Sequence, residues 1–331
     1  MNAAHGFIGR RQLLQGAAAA GLGLAGLSAS ATTFPTRPVT IVVPYAPGGA
    51  IDIAARNLQS ALQEAWGQPV IVENVSGASG IVGAQRVQRA APDGQTLLLT
   101  ISNTHAVLPH MQALPFDPFK DFTGVVTVVR AQSGLFVRTD HPAQTLPDFF
   151  RHARASKQPI AVGDWGVGSL GHMMAAGLAI DQKFTVTSVH YRGAAPIVQA
   201  MLGGEISVGT ADVSSVLPQV AAGKLRMLAV NGTARHPAMK DTPTFSEFGI
   251  HEYDSYSWIG LFAPAGTPLA LREQIAQAFQ KITLAPEMRG RLLERGFVVA
   301  KSDPAQFDAE WRSTYERFGN LVKKTGIKTD N

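Results

Sequence analysis

Residues 39–56 constrain this chain most. The β-branched run Val39-Thr40-Ile41-Val42-Val43 enters the turn Pro44-Tyr45-Ala46-Pro47-Gly48-Gly49 and leaves as a helical pattern starting at Ala50. Such a run is the pattern of a strand covered on both faces, and Pro44 ends its ladder. Gly48 and Gly49 let backbone amides approach a ligand without Cβ interference. The following helix aims unpaired N–H groups and a partial positive charge at the same spot. A carboxylate suits that position. Asp52, in the helix's first turn, either complements the dipole or orients a water or a ligand donor.

The same unit recurs. Val70 to Glu73 reads as a strand, Asn74 to Gly80 as a turn and Ile81 to Ala90 as a helix; Thr96 to Ile101 is a strand that runs into Ser102-Asn103-Thr104-His105. The Pro-rich passage Pro109 to Pro118 breaks the periodicity, and Val125 to Val129 and Leu135 to Val137 are strands beyond it. Further on, Pro159 to Gly163, Thr185 to His190, Ile206 to Thr210 and Leu225 to Val230 read as strands, with the turns Asp164 to Ser169 and Tyr191-Arg192-Gly193-Ala194 each opening a helix. Trp258 to Ala263 returns as a strand before three closing helices. Alternating β and α elements predict an α/β fold of open, largely parallel sheets flanked by helices, with ligands at the strands' carboxyl ends. Length adds that 331 residues exceed one ordinary core. The return at Trp258 assigns residues 34–133 plus 255–331 to one lobe and 134–254 to a second.

Residues 1–31 have the parts of an export signal: Arg10-Arg11, an apolar segment from Leu13 to Leu27, and Ala29-Ser30-Ala31 as a small-residue cleavage site. Arg10-Arg11 fits a twin-arginine signal or the basic start of a general secretory one. Without that leader, 27 basic residues face 24 acidic ones, a charge of +3. No basic cluster with interleaved aromatics accompanies it, so nucleic acid is not expected. The absence of cysteine excludes disulfides, thiol catalysis and cysteine-held metals.

Several motifs invite chemistry and lack its context. Gly166-Val167-Gly168-Ser169-Leu170-Gly171 follows a strand and opens a helix, but the acidic residue that a dinucleotide's ribose needs some 20 positions on is missing. The histidines show no metal-ligand spacing. Ser169 reads as a helix cap or ligand donor, since no nucleophile elbow surrounds it. No catalytic residue, metal or cofactor is expected. The competing reading is an exported α/β hydrolase or dehydrogenase acting on a small carboxylate in the same cleft.

Taken together, Val43-Pro44-Tyr45-Ala46-Pro47-Gly48-Gly49 with Asp52 and Ala55-Arg56, Glu73-Asn74, Gly77-Ala78-Ser79-Gly80, Ala91-Pro92-Asp93-Gly94, Gly166-Val167-Gly168-Ser169 with His172, Tyr191-Arg192-Gly193, Gly223-Lys224-Leu225-Arg226 and Ala263-Pro264-Ala265-Gly266-Thr267-Pro268 resemble one family. These are the periplasmic solute-binding proteins of tripartite tricarboxylate transporters, the Bug family. The resemblance implies a two-lobed Venus flytrap in the periplasm, without enzymatic activity. It implies a monomer that closes on a small organic carboxylate and presents it to membrane transporter subunits or to a sensor receptor. It also implies ligand contacts from Tyr45, Ala46, Gly48, Gly49, Ala50 and Asp52, from Ser102 and Thr104, from Trp165, Gly168, Ser169 and His172, from Arg192 and Gly193, and after the strand near Thr210, from Asp212. Two positions depart from the family pattern. Asp164-Trp165 stands where relatives carry small serines, and Ala211-Asp212 where many place an acid. Trp165 is expected to wall the ligand, Arg192 to pair with its charge, and Asp164, if it faces the cleft, to repel a second carboxylate.

Overall fold

The structure is a computed structural model that describes residues 34–48, 50–191, 193–299 and 301–328. The export signal expected over 1–31, Gly49, Arg192 and the side chain of Ala50 lie outside the described residues. The chain builds two sheets. Strands β1 (Val39–Val43), β2 (Val70–Asn74), β3 (Thr96–Ile101), β4 (Phe122–Ala131), β10 (Ser257–Pro264) and β11 (Phe297–Val298) form the first, in the order β11-β4-β10-β3-β1-β2. Strands β5 (Ser133–Arg138), β6 (Ile160–Asp164), β7 (Val186–His190), β8 (Val208–Asp212) and β9 (Leu225–Val230) form the second, in the order β7-β6-β8-β5-β9.

Both sheets are mixed in a regular way. β1 pairs in parallel with β2 and β3, while β10 runs antiparallel between β3 and β4, so β1 to β4 share one direction. In the second sheet β5 runs antiparallel between β8 and β9, and the other four strands share one direction. Parallel pairing follows the strand-helix units, as the sequence predicts; the antiparallel insertions are the strands by which the chain enters the second sheet and returns to the first.

The helices of eight or more described residues are α1 (Ala50–Trp66), α2 (Ile81–Gln88), α3 (Leu146–Ala155), α4 (Leu170–Gln182), α5 (Ala194–Gly203), α6 (Val213–Ala221), α7 (Leu269–Thr283), α8 (Pro286–Glu294) and α9 (Pro304–Thr325). Period-two alternation of β1 and β3 explains the layering. Ile41, Val43, Leu97 and Leu99 join Leu58, Leu62, Ile275 and Phe279 on one face, while Val42 and Leu98 join Ala84, Phe307 and Trp311 on the other. That second layer continues without a break into Leu135, Met173 and Leu178 of the second sheet's unit. A separate layer of Phe136, Ile197, Met201 and Val216 covers the second sheet's far face.

The crossing between sheets is one residue long. Gln132, buried between β4 and β5, donates from Nε2 to the carbonyls of Asn231 (2.5 Å) and Ala234 (2.9 Å). Asn231, where the chain leaves β9, accepts from the Ser133 amide at 2.7 Å and donates its own amide to the Ser133 carbonyl at 2.8 Å. Outgoing and returning chain are thus stitched together. Helix α9 spans the same junction: Gly124 of β4 donates to Asp308, and Lys324 in the last turn bonds Asp181 at the end of α4 and Glu252, each at 2.7 Å.

Candidate functional site

Five strand ends carry the expected site, and the fold brings them to the carboxyl edges of the two sheets, where amides of the following helices face outward. The β1–α1 loop is organised from within by Asp52, only 3% exposed. Its Oδ2 accepts from the Gly48 amide at 2.9 Å, its Oδ1 from Asn74 Nδ2 at 3.0 Å, and both from Arg56 Nε at 3.0 and 3.1 Å. Asn74 also donates to the Tyr45 carbonyl and accepts from Arg56 Nη2. Burial pushes the Asp52 carboxyl up, but the hydrogen bonds from Arg56, Gly48 and Asn74 outweigh it, and its pKa is lowered. Asp52 therefore shapes the loop; every bond recorded on it is internal.

Behind this loop, Tyr45 Oη and Thr104 Oγ1 lie 2.6 Å apart, and both reach toward the Ser79 carbonyl. Thr104 further accepts from Thr100 at 3.1 Å. Burial holds the Tyr45 phenol above its ordinary value against the pull of Thr104 and Thr100. Ser102, 5% exposed, opens the helical turn that follows β3, while Ala46 and Gly48 are exposed.

The β6–α4 loop of the second sheet repeats the plan. Asp164 accepts from the Gly166 amide at 2.9 Å and meets His190 Nδ1 at 2.7 Å. It is fully buried, with Oδ1 engaged by these two partners and no hydrogen bond on Oδ2. A short turn needs its amides tied down, and a carboxylate two residues ahead of a glycine does so from beneath. Ser169 caps α4 by accepting from the His172 amide at 3.1 Å, and His172 Nδ1 accepts from Gly168 at 3.2 Å. The His172 pKa is lowered by burial and by His190 nearby, against the opposing charge of Asp164. Gly193 precedes α5 and has no side-chain cap.

Two contacts close the gap between the sheets' units. A Cβ on Gly168, whose φ is +70°, would meet Met111 Sδ and Cε at 2.3 Å. One on Gly296, φ +77°, would meet the Ser214 Cα and N at 2.5 and 2.6 Å. The two units also share a cavity of about 100 Å³ whose lining includes Ser102 and Asn103 after β3, Trp165 and Asp212 from the second sheet, and Ser257 and Trp258 of β10. That volume matches a small organic acid and is below the 300 Å³ or more of drug-sized sites. Of the expected residues, the cavity gathers Ser102, Trp165 and Asp212. Tyr45, Thr104 and Asp52 stand behind as loop supports, and Gly168, Ser169 and His172 shape the second loop. Met111, Gln132, Asn231, Ser214 and Ser257 escaped the sequence reading, which took Trp258 as the start of a strand and gave it no part in the site. Among the described residues no three His, Asp or Glu side chains are placed to hold a metal, and no helix is long and apolar enough to cross a membrane.

Comparison with known proteins agrees with this architecture. The model of the tripartite tricarboxylate transporter family receptor matches residues 54–327. A Cupriavidus necator protein, the UPF0065 protein in the gbd 5′ region, is 32% identical over 324 residues, covering 97% of each chain. Among solved structures, Rhodopseudomonas palustris Rpa4515 with adipate superposes with a TM-score of 0.77 at 28% identity, over 89% of this chain and 99% of that one. MatC from the same organism, with bound malate, gives 0.73 at 30% identity, over 87% and 100%.

Proposed function

This chain belongs to the tripartite tricarboxylate transporter receptor family, and from that premise we propose that it works in the periplasm as a monomeric receptor. It captures a small dicarboxylate-sized acid between two lobes and hands it to membrane transporter subunits, performing no chemistry on it. The lobes are residues 34–133 plus 255–331 and residues 134–254. The observation that supports this reading is the cavity itself: strand ends of two separate sheets converge on one partly open, largely apolar space of about 100 Å³ with Ser102, Asn103, Asp212, Ser214 and Ser257 on its wall.

The mechanism follows from the parts. Helix N-termini and loop amides supply fixed partial charges, so a carboxylate needs no buried lysine to be held. Ala46, Gly48, Gly49 and Ala50, on a loop stiffened by Asp52 and backed by Tyr45 and Thr104, take one end of the acid, with Ser102 beside them. Gly168, Ser169, His172, Arg192 and Gly193 take it from the other lobe, and Trp165 walls the space. Waters bridge what backbone donors do not reach. A ligand that touches both lobes binds the closed form better than the open one and shifts the population by that difference.

Differential scanning calorimetry on residues 32–331 with adipate, malate and succinate tests this. A true ligand at one hundred times its Kd adds about 2.7 kcal/mol of stability, and mass spectrometry finds the acid unchanged after incubation. Lack of any thermal shift, or appearance of a product, would overturn the reading.

A further inference from the structure

Three stretches of chain meet where the two sheets join, and one aromatic ring bridges them. Tyr256 ends the return crossing, directly before β10. Its phenol oxygen lies 3.2 Å from both the amide nitrogen and Oγ1 of Thr233, just beyond β9. The ring lies against Gly232: a Cβ there, at φ +91°, would meet ring atoms at 2.4, 2.7 and 2.9 Å. From β4, the Arg130 guanidinium carbon comes within 5.3 Å of the ring centroid.

Each partner of the ring is anchored in its own unit. Arg130 Nε donates to Glu310 Oε1 of α9 at 2.7 Å, and Glu310 Oε2 accepts from Thr127 Oγ1 at 2.7 Å, which ties the guanidinium to the first sheet. On the other side the Gly232 amide donates to the Tyr253 carbonyl at 2.7 Å, and the Tyr253 phenol donates to the Met174 carbonyl of α4 at 3.4 Å. A cation holds an aromatic face only within about 6 Å of its centroid, so the Arg130 contact has little slack. Rotation of one unit against the other moves Arg130 relative to Gly232 and Thr233, and the ring then keeps one partner and loses the other. In the arrangement described, the cleft-side contacts of Met111 with Gly168 and of Ser214 with Gly296 are made at the same time. One residue further along each strand, Ala131 and Ser257 pair in the ladder and line the cavity.

We propose that Tyr256 is a positioning residue for ligand capture: it braces the hinge at the lobe angle at which the cleft contacts form, and so sets affinity without touching the ligand. The proposal rests on the two-lobed capture reading above and adds to it a residue that acts through the hinge. An apparent Kd is the intrinsic Kd divided by the fraction of protein in the binding-competent form. Removing the brace lowers that fraction, so affinity falls with every ligand contact intact.

The test measures lobe angle and binding separately. The chain has no cysteine, so Glu64→Cys on α1 and Gln199→Cys on α5, both at exposed positions, carry spin labels whose separation reports the angle by pulsed electron resonance. Tyr256→Leu fills the slot without a π face or a hydroxyl. It should lengthen the label separation and, in titrations with adipate, malate and succinate, weaken whichever acid binds the unmodified protein at least fivefold, chiefly through faster dissociation. Tyr256→Phe, which keeps the ring between Gly232 and Arg130 and loses only the Thr233 bonds, should fall between the two. If Tyr256→Leu fails to fold, the Tyr256→Phe separations and affinities decide, and unchanged values overturn the proposal. Unchanged separations in a folded Tyr256→Leu overturn it as well, leaving the ring a packing element. Unchanged or tighter binding also overturns it and leaves the carboxylate reading standing. If no acid of the panel binds the unmodified protein, the carboxylate reading fails, and the label separations alone decide the brace.

Discussion

Two buried ionisable residues define how single side chains act here. Asp52 accepts from the Gly48 amide and from Asn74 Nδ2, so Asp52→Ala removes both bonds, after which the exposed Gly48 amide turns to water and Asn74 keeps the Tyr45 carbonyl. The lost hydrogen bonds are worth about 0.5–1.5 kcal/mol each, and urea denaturation should show a loss of about 1–2 kcal/mol. Asp52 is also pH-sensitive with a clear sign. Its folded pKa is depressed, so its stabilisation is present above the ordinary carboxylate value and is lost as pH falls through the lowered one. His105 is the opposite kind of residue. It is fully buried among Phe116, Phe122, Phe262 and Trp311, with neither ring nitrogen bonded, and its pKa is lowered to about 3 by burial. The unfolded chain binds a proton near pH 6.5 and the folded one does not. Stability therefore falls by about 1.4 kcal/mol per pH unit as pH drops from about 6.5 toward 3. His105→Phe removes the titration. At pH 7 it should change stability by less than about 1.5 kcal/mol, and at pH 4.5 it should leave the variant ahead by roughly 2–3 kcal/mol relative to that baseline. Parallel denaturation curves at the two pH values check it.

At the scale of elements, the two strand-helix loops share one design. A buried carboxylate reaches under the turn to a glycine amide, Asp52 to Gly48 in one and Asp164 to Gly166 in the other, and a basic side chain answers it, Arg56 or His190. Half of this was legible. Asp52 and Arg56 sit four apart on a helical pattern, a spacing that pairs them in any helix, and the glycines marked both turns. Asp164 and His190 lie 26 positions apart on neighbouring strands, and only the parallel register of β6 and β7, which sets Asp164 directly beside His190, makes them partners. Local patterns therefore predicted strands, turns and helices well, while pairs joined by register or across the cleft stayed hidden. Met111 against Gly168 and Ser214 against Gly296 are of that second kind. Gly296 ends α8 with φ +77°, and its Cα faces Ser214 backbone that has no side chain to move aside. Gly296→Ala should act as a wedge. The backbone strain costs about 1–2 kcal/mol, and ligand affinity should fall at least tenfold as the cleft is held apart, which calorimetry and small-angle scattering would register together.

For the whole molecule, α9 decides how freely the halves move. Its middle lies against β4 and its last turn is tied to α4 through Lys324, Asp181 and Glu252. Desolvation pulls the Lys324 ammonium down, but the bonds and charges of Asp181 and Glu252 outweigh it and its pKa is raised. The stabilisation it supplies is full below the ordinary lysine value and disappears as pH rises through the raised one. Lys324→Met should lose that alkaline limb, seen as a flatter melting-temperature profile above pH 10, and leave Asp181 and Glu252 to repel each other. The seam at Gln132 and Asn231 has a different consequence. Because the chain departs and comes back at a single stitched point, the stretch between them is an insertion whose two covalent joins lie side by side, while its packing face is shared with α9. A chimaera carrying residues 133–230 from a relative of different ligand preference has one covalent seam to match and the α9 face to keep, and selectivity is then shuffled half a cleft at a time.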